Sequence, residues 1–358
     1  MRFVSTVHQK DTWAPLNISS DMISLLMDRY HLSPGFLQIL TCFKDRHLPT
    51  EEAFSSASQS HFTDKRSGMS SLIDIQIQCG NDCLEFGWVF KYSEQKAVTT
   101  GNPWRIRQTG IYHFADQKRA RSTLFIIHPS PTAHFDAYLH QVLQQPDARL
   151  RLLSNPMLVH SMLISTHLSS WRDYLGYHEA KLLQLVSLYV NDTNISGRLL
   201  TDAKDMKPAC TSLTQSLVTF ETLKEVRAVE NKILPLEPIL VSFEKLMKDL
   251  EEFNSVFSEV GKVQDGTSVV IKAALRQFRK DATSYRRQVL YMNKRAQLTT
   301  QSMLDTLNLS QSKNTFDMGR SAREDSVAIR AITLVTSFYL PFSFVAVSIT
   351  SAIHLDLC

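Results

Sequence analysis

The feature that most constrains this chain is an uncharged stretch over residues 331–353, which reads AITLVTSFYLPFSFVAVSITSAI. These 23 residues include no Asp, Glu, Lys, Arg or His. As a helix they would extend about 34 Å, slightly more than the roughly 30 Å of a hydrocarbon layer. The length therefore predicts one transmembrane helix over 331–353, followed by a short tail over 354–358. The alternative is a buried core helix, although such helices seldom run this far without a charge.

The charges on either side of this stretch predict its orientation. Arg320, Arg323 and Arg330 precede it, whereas only His354, Asp356 and the terminal carboxylate follow. By the positive-inside rule, the large N-terminal part faces the cytosol or an organelle matrix. We therefore expect an integral membrane protein with the lipid bilayer as a partner, and the sequence leaves the choice of membrane open.

The overall composition is that of a folded protein with no evident nucleic-acid partner. The chain has 358 residues, 43% of them hydrophobic and 21% charged, with a formal net charge of +4. This charge is too small to indicate nucleic-acid binding, and no finger or RNP pattern accompanies it. Residues 269–330 contain twelve Lys or Arg and five Asp or Glu, a surplus of seven. Basic charge therefore gathers just before the apolar stretch.

The cysteines predict a reducing compartment and no resident metal. There are five of them, an odd and scattered set that does not suggest a disulfide framework. Cys79 and Cys83 lie close together, but no second Cys or His pair stands at zinc spacing. A strand, a turn and a second strand explain this pair better than a metal site does. We expect no cofactor.

Residues 1–155 predict a mixed α/β domain. One early helix is expected at 21–32, with Ser20 as its N-cap, and a second at 34–43, beginning at Pro34. The serine-rich segment 51–71 predicts a loop. Strands are expected where apolar and polar residues alternate, namely 71–79, 83–92, TGIYHF and STLFIIH, with Gly80, Asn81 and Asp82 as a hairpin turn. A helix follows at 134–144.

Residues 156–330 predict a helical region. The candidates are 157–190, 211–260 and a long stalk helix over about 269–330. In the stalk, apolar residues recur in alternating steps of three and four, which is a coiled-coil pattern: Leu275, Phe278, Ala282, Tyr285, Val289, Met292, Ala296, Thr299 and Met303. Packing against a preceding helix and self-association both explain this pattern. The predicted fold class is α+β, with coiled-coil-like stalk helices and one C-terminal transmembrane helix.

Several of these segments resemble one known family. Within the apolar stretch, Leu340 and Pro341 are followed by Ser343, Phe344 and Ala346. Upstream, the block WRIRQTGIYHFADQKRARSTLFIIHPSP contains an Arg-Gln-x-x-x-Tyr-His strand, and SPGFLQILTCF precedes it. Together these segments resemble the CorA-like magnesium transporters, in particular their fungal branch, truncated after the first transmembrane helix.

The resemblance implies a homopentamer whose five stalk helices surround an axis and continue as a pore. By alignment with the family, the pore-facing positions are Ile332, Leu340, Ser343 and Val347. Mg²⁺ would be the transported or regulatory ion. Because Mg²⁺ gives up its water reluctantly, hydroxyl and carbonyl oxygens along the path could pass it hydrated.

The sequence departs from the family at the outer end of the span. The family's Gly-Met-Asn filter is expected at Thr350, Ser351 and Ala352, and no second apolar segment follows residue 353. We therefore expect this chain, as given, not to conduct. Residues 347 and 348 could be encoded by GTNAGN, which is compatible with an intron donor, so 347–358 could be intron read-through. The alternative is genuine divergence to a single-span protein.

A tethering protein and an enzyme are the alternatives to a transporter. A heptad helix beside a C-terminal anchor is also the layout of tail-anchored tethering proteins, which act through their helical region. An enzyme is not expected, since the sequence has no Gly-x-Ser-x-Gly, His-Glu-x-x-His, phosphate-loop or dinucleotide motif. His113, His128, His134 and His140 fit no zinc spacing, and we expect them to be hydrogen-bonded or surface residues.

Overall fold

The structure is a computed structural model that describes residues 2–9, 14–30, 32, 34–45, 56–62, 83–96, 101–116, 121–128, 134–202, 208–260 and 266–355. The strands are β1 Arg2–His8, β2 Ser56–Phe62, β3 Cys83–Gln95, β4 Trp104–Asp116 and β5 Arg121–His128. The helices are α1 Ser20–Tyr30, α2 Pro34–Thr41, α3 His134–Gln144, α4 Pro146–Ser154, α5 Met157–Leu168, α6 Ser170–Asp202, α7 Pro208–Ile233, α8 Leu236–Val260 and α9 Thr267–Leu355.

The strands form one sheet in the order β1-β5-β4-β3-β2. β1 pairs with β5 in parallel, and the other described pairs are antiparallel. β3 and β4 pair along their whole length, from Cys83 opposite Asp116 to Gln95 opposite Trp104. A mixed sheet followed by long helices confirms the predicted α+β fold class.

Three of the strand predictions are confirmed, whereas the loop prediction is wrong. The predicted strand 83–92 and the strands around TGIYHF and STLFIIH lie within β3, β4 and β5. The predicted loop 51–71 is wrong, because β2 lies within it and pairs with β3 from Ser56 opposite Val89. Backbone hydrogen bonds hold this serine-rich edge strand, and edge strands tolerate polar side chains. The predicted strand 71–79 and its turn lie outside the described residues.

Helices α1 and α2 cover one face of the sheet. The ring of Phe36 lies 5.2 Å from the rings of both Tyr112 and Phe125. A Cβ atom at Gly110 would lie 3.2 Å from the ring of Phe43, just beyond α2. Glycine at this point of β4 therefore permits the close approach of Phe43 to the sheet, which a larger residue would push away.

The opposite face of the sheet packs on α5 and α8. Phe86 stacks on Phe253 of α8 at 4.7 Å, and Phe90 lies 5.6 Å from Phe243 of the same helix. Trp88, between the two phenylalanines on β3, is fully buried. The alternation that predicted β3 thus places its large aromatic side chains between the sheet and α8.

The helix predictions are correct in type but wrong in three details. The predicted helix 157–190 is divided at Ser169 into α5 and α6, and the predicted helix 211–260 is divided at Leu234 and Pro235 into α7 and α8. Proline has no backbone N–H to donate, which explains the second break. The expected N-cap at Ser20 is wrong, because the N–H of Met22 donates to Oγ of Ser19 at 3.2 Å. The helix 134–144 is confirmed as α3.

The chain divides into two compact units. The first comprises Met1–Gln184 with Arg227–Gln297, and the second comprises Leu185–Val226 with Leu298–Cys358. In the first unit, the predicted heptad residues Leu275, Ala282, Val289, Met292 and Ala296 are buried, whereas Phe278 and Tyr285 are half-buried. Over this part of α9, the heptad pattern therefore reflects packing within the chain.

An ionic ladder joins α8 to α9 in antiparallel fashion. Carboxylates at seven-residue steps on α8 face cations of α9, with Arg286 near Glu237 and Glu244. Glu251, whose side chain is only 15% exposed, lies 2.7 Å from Arg276 and also approaches Lys272 and Arg279. Glu251 is thus the main counter-charge for three cations.

Glu251→Gln should destabilise the first unit, because it leaves three cations beside a neutral amide. We expect a loss of about 1–2 kcal/mol in the free energy of unfolding. Glu252→Gln is the matched control, since Glu252 is 62% exposed and, among the described residues, forms an ion pair with Lys248 alone, at 3.9 Å. Its loss should stay below about 0.5 kcal/mol. Thermal unfolding of both purified variants measures the difference. Equal losses would contradict the role assigned to Glu251.

Candidate functional site

The part of α9 beyond residue 310 is a helix that no described element covers. Every described side chain from 311 to 348 is exposed, except that Ser343 is half-buried. By length and composition, this helix contains a segment apolar enough to cross a membrane, and none of that segment is buried. Apolar side chains over such a length are unfavourable in water. The segment therefore requires a bilayer or other protein around it.

The apolar segment contains hydroxyl groups that hydrogen-bond to their own helix. Oγ1 of Thr333 donates to the carbonyl of Ile329 at 2.8 Å, and Oγ1 of Thr336 donates to that of Ile332 at 2.9 Å. Oγ of Ser343 donates to the carbonyl of Leu340 at 2.9 Å. Each hydroxyl uses its single hydrogen within the helix, so its oxygen lone pairs can accept hydrogen bonds from water or coordinate a cation.

The family-motif residues of the span lie inside α9, and their side chains are exposed. Pro341 stands within the helix, where it cannot donate to the carbonyl of Ser337. Phe344 is 73% exposed, and Ala346 is exposed as well. The helix continues to Leu355, so the backbone is helical at Thr350, Ser351 and Ala352, where the filter was expected.

The exposed residues of α9 follow a second heptad pattern, which we call the outer seam. Alternating steps of three and four reach only exposed residues in the first unit, namely Gln277, Lys280, Ser284, Arg287, Tyr291 and Lys294. Continued along the sequence, the same steps reach Thr333, Thr336, Leu340, Ser343 and Val347. Residues at this spacing share one face of a left-handed supercoil.

The outer seam contains three of the four predicted pore-facing residues. Leu340, Ser343 and Val347 lie on it, and Ile332 stands one position before Thr333. Ile332, Leu340 and Val347 are 64%, 66% and 65% exposed, so these side chains are available to a pore or to lipid. Thr333 and Thr336 also lie on the outer seam, although they are not among the pore-facing positions that the family resemblance implies.

The Arg-Gln-x-x-x-Tyr-His strand of the resemblance corresponds to β4, where it forms buried polar contacts. Arg107 is 4% exposed, and its Nε donates to Oε2 of Glu94 at 3.1 Å. Burial raises the pKa of Glu94, but hydrogen bonds from Arg105 and Arg107 outweigh burial and leave that pKa below its ordinary value. Nε2 of Gln108 donates to the carbonyl of Cys42 at 3.1 Å, which ties the end of α2 to the sheet.

His113 of the same strand belongs to a buried hydrogen-bonded chain. The indole N–H of Trp88 donates to Nδ1 of His160 at 2.9 Å. His160 must then carry its proton on Nε2, which donates to Nδ1 of His113 at 3.0 Å. Nε2 of His113 in turn donates to Oγ of Ser122 at 2.7 Å. Both imidazoles are therefore neutral, and each ring nitrogen has a partner.

The surroundings of this chain disfavour a charge on either ring. Burial lowers the pKa of His113 to about 3. Burial, and then the neighbouring His113, hold the pKa of His160 well below its ordinary value. The rings of Phe253 and Phe257 from α8 lie 6.1 and 6.0 Å from His113. His113 was expected to be a hydrogen-bonded or a surface residue, and it is hydrogen-bonded in the core. His160 was missed because a single histidine on an apolar helix gives no spacing signal.

The remaining histidine and metal predictions fall largely outside the described side chains. His140 is exposed on α3, whereas the side chains of His128 and His134 lie outside the described set. The same holds for Cys79 and for the side chain of Cys83. Among the side chains that are described, no three His, Cys, Asp or Glu form a group suited to a metal ion.

Comparison with known proteins identifies the family. The family model of the CorA-like transporters matches residues 1–188, more than half of the chain. The cytoplasmic domain of ZntB from Vibrio parahaemolyticus is a similar solved structure, with 11% identity and a TM-score of 0.43 over 85% of this chain and 91% of that one. No curated protein is similar enough to match. From the family match over 1–188, this chain belongs to the CorA-like transporters.

Proposed function

We propose that this chain is one subunit of a homo-oligomeric transporter of divalent cations, and that Mg²⁺ is its ion. The exposed apolar segment of α9 carries the proposal, because a member of a transporter family needs a membrane-spanning element and this segment has no described protein around it. Family members are transporters and not enzymes, and the buried His113 chain offers no accessible group for catalysis. One apolar helix and the family together fit a membrane protein with a cytoplasmic N-terminal domain.

The proposed organisation follows the charge and hydropathy of the chain. Residues 1–155 form the N-terminal domain on the cytosolic or matrix side, and 156–330 form the helical region with its stalk. Residues 331–353 span the membrane, and 354–358 lie beyond it. Arg320, Arg323 and Arg330 support this orientation, since basic residues remain on the side from which a span enters.

In the proposed pore, five outer seams face a common axis. Leu340 and Val347 narrow the path, Ser343 and Thr336 present hydroxyl oxygens to it, and Ile332 lies at its edge. A hydrated Mg²⁺ donates hydrogen bonds through its water, so acceptor oxygens suit it better than a bare apolar wall. The hydroxyl hydrogens of Thr336 and Ser343 are already donated to carbonyls, which supports this role. Fivefold symmetry rests on the family.

We further propose that residues 1–358 do not conduct by themselves. At the place of the family's Gly-Met-Asn filter stand Thr350, Ser351 and Ala352, which offer no asparagine amide. The backbone at these residues is helical, so the carbonyls of Thr350 and Ser351 are directed along the helix and do not turn toward an axis. A ring that selects a hydrated cation would be missing.

Growth of a magnesium-uptake-deficient cell tests the proposal. The 358-residue chain should not restore growth, whereas a chimera in which 347–358 are replaced by a family filter and second span should restore it. Rescue by the 358-residue chain would contradict the claim that the filter is needed. Failure of the chimera, with its insertion verified, would contradict the transporter assignment. Chemical crosslinking adds an independent result, because a tethering protein gives no reason for a fivefold product.

A further inference from the structure

Two exposed charges of opposite sign stand on the two edges of the outer seam, just before the apolar segment. The steps of the seam reach Ser326 and Ile329, and Asp325 immediately precedes the first of these, whereas Arg330 immediately follows the second. Both charged side chains are exposed, and neither makes an ion pair with a described residue. Such positions border the contact surface of a coiled coil without lying on it.

The helix itself cannot pair these two charges. A helix brings together residues three or four positions apart, as Arg320 and Glu324 show at 3.1 Å. No residue three or four positions from Asp325 or Arg330 carries a charge. The two are five positions apart, which separates them by about 140° around the helix. Both charges therefore need a partner from outside their own helix.

A second, parallel copy of this chain supplies a partner to both. In a parallel coiled coil, the residue before one seam position lies beside the residue five positions further along the neighbouring helix. This step leads from Asp325 to Arg330 of the neighbouring copy. It also leads from Leu304 to Leu309 of the neighbouring copy, and Leu309 is 71% exposed in the single chain. Charge and apolar character are thus both complementary between parallel copies.

The apolar side chains nearby follow the same edges. Leu309 and Phe316 each follow a seam position, Met318 precedes one, and the three are 71%, 72% and 67% exposed. The seam residues between these edges are polar or small: Asn308, Ser312, Thr315 and Gly319. Contact along the edges would bury the apolar side chains and leave the polar seam toward the axis.

We propose that Asp325 of each copy forms an ion pair with Arg330 of the next copy around the axis, and that this ring fixes the register of the stalks where they enter the membrane. The pairs lie between adjacent helices and not on the axis, so they leave the proposed cation path open. Charged residues beside a seam set partner choice and orientation in coiled coils. This inference rests on the homo-oligomer proposed above.

Charge reversal tests the ion pair on the full chain in detergent, with assembly measured by sedimentation. D325R and R330D should each raise the protein concentration for half-assembly at least about tenfold, because each places like charges at every contact between copies. D325R/R330D should return that concentration to within about threefold of the wild type. E324R is the matched control, since it makes the same change in charge one position away, outside the edges of the seam, and it should also stay within about threefold.

The outcomes separate the inference from the homo-oligomer. If the double variant assembles no better than the single variants, the ion pair is wrong. If R330D weakens assembly while D325R does not, Arg330 meets lipid phosphate and the ion pair is again wrong. If the wild type remains monomeric at every concentration, the homo-oligomer itself is refuted.

Disulfide formation adds a measurement that does not depend on stability. In membranes, D325C/R330C is oxidised in a background whose only other cysteine is the buried Cys42. Cysteines five positions apart on one helix are too distant to bond to each other, so a ladder of covalent oligomers is expected. R320C/D325C has the same spacing but places one cysteine away from the seam, and it should give no ladder. Equal ladders from both variants, or none from the first, would overturn the inference.

Discussion

At pH 5.0, the free energy of unfolding of this chain is expected to be at least about 2 kcal/mol lower than at pH 7.5. The cause is the buried chain from Trp88 through His160 and His113 to Ser122, which requires both imidazoles to be neutral. A proton on Nδ1 of His113 would face the Nε2–H of His160, so a donor would meet a donor. Burial accordingly lowers the pKa of His113 to about 3.

The sign of this pH dependence follows from proton binding in the two states. The unfolded chain takes up a proton on His113 near its ordinary pKa of about 6.5, whereas the folded chain does so only near 3. The contribution of His113 to the free energy of unfolding is therefore fully present above pH 6.5, and it falls as the pH drops from 6.5 toward 3. A pH of 5.0 lies about 1.5 units below the pKa of the unfolded-state histidine, which corresponds to a loss of about 2 kcal/mol in the free energy of unfolding. His160 changes stability in the same direction.

Two histidine variants separate this effect from the titration of carboxylates. His113→Asn should be less stable at pH 7.5, because it disrupts the hydrogen bonds to His160 and Ser122, but its loss between pH 7.5 and 5.0 should be smaller than that of the wild type by about 2 kcal/mol. His140→Asn, at an exposed position of α3, should retain the wild-type dependence. Urea unfolding followed by tryptophan fluorescence measures all three proteins. A wild-type pH dependence that persists unchanged in His113→Asn would contradict the assignment.

This buried chain also shows where sequence reasoning fails. Trp88 and His160 are 72 residues apart, and His113 and His160 are 47 apart, so no local pattern relates them. By contrast, the alternation in CLEFGWVFKY predicted β3, because a strand with one face on α8 must bury every second residue. Local periodicity reports which face is buried, whereas partners across the core depend on how the elements pack.

The corrected elements have different physical causes. β2 was not predictable from its serine-rich residues, since the neighbouring β3 supplies its hydrogen bonds. The break between α7 and α8 was predictable, because Pro235 removes a helix hydrogen bond whatever its surroundings. The heptad residues of the stalk were identified correctly from sequence, but their partner could be assigned only once Leu275, Val289 and Met292 proved to be buried within the chain.

From sequence alone, the candidate pathway is a prediction of individual residues and not of a face of the helix. The pore-facing residues came from a family resemblance, which named Ile332, Leu340, Ser343 and Val347. In the first unit, the residues of α9 that stay exposed beside the ionic ladder repeat every three and four positions. These steps, continued along the sequence, define the outer seam. Thr336 lies on the outer seam, whereas Phe338 lies about half a helical turn away from it.

In membranes, Leu340→Cys is expected to react with a charged, membrane-impermeant thiol reagent about 100-fold faster than Phe338→Cys. The reactive species is the thiolate, which needs water around it. A charge at the middle of a span costs about 2.5–3.5 kcal/mol when it faces hydrocarbon, and about 1.4 kcal/mol corresponds to a tenfold change. If the outer seam lines a water-filled path, position 340 avoids this cost and position 338 does not. The two positions are 66% and 64% exposed, so the isolated chain does not favour either one.

The comparison requires a background in which Cys79, Cys83, Cys210 and Cys358 are replaced by serine, while the buried Cys42 is kept. Thr336→Cys and Ser343→Cys should then react as fast as Leu340→Cys, because they lie on the same seam. Equal rates at 338 and 340 would mean that the helix has no wet face and serves only as an anchor. A fast reaction at 338 with a slow one at 340 would place the path on the opposite face and would refute the outer seam as the pore lining. Because the reaction needs only water and not ion flow, either result holds whether or not residues 350–352 allow conduction.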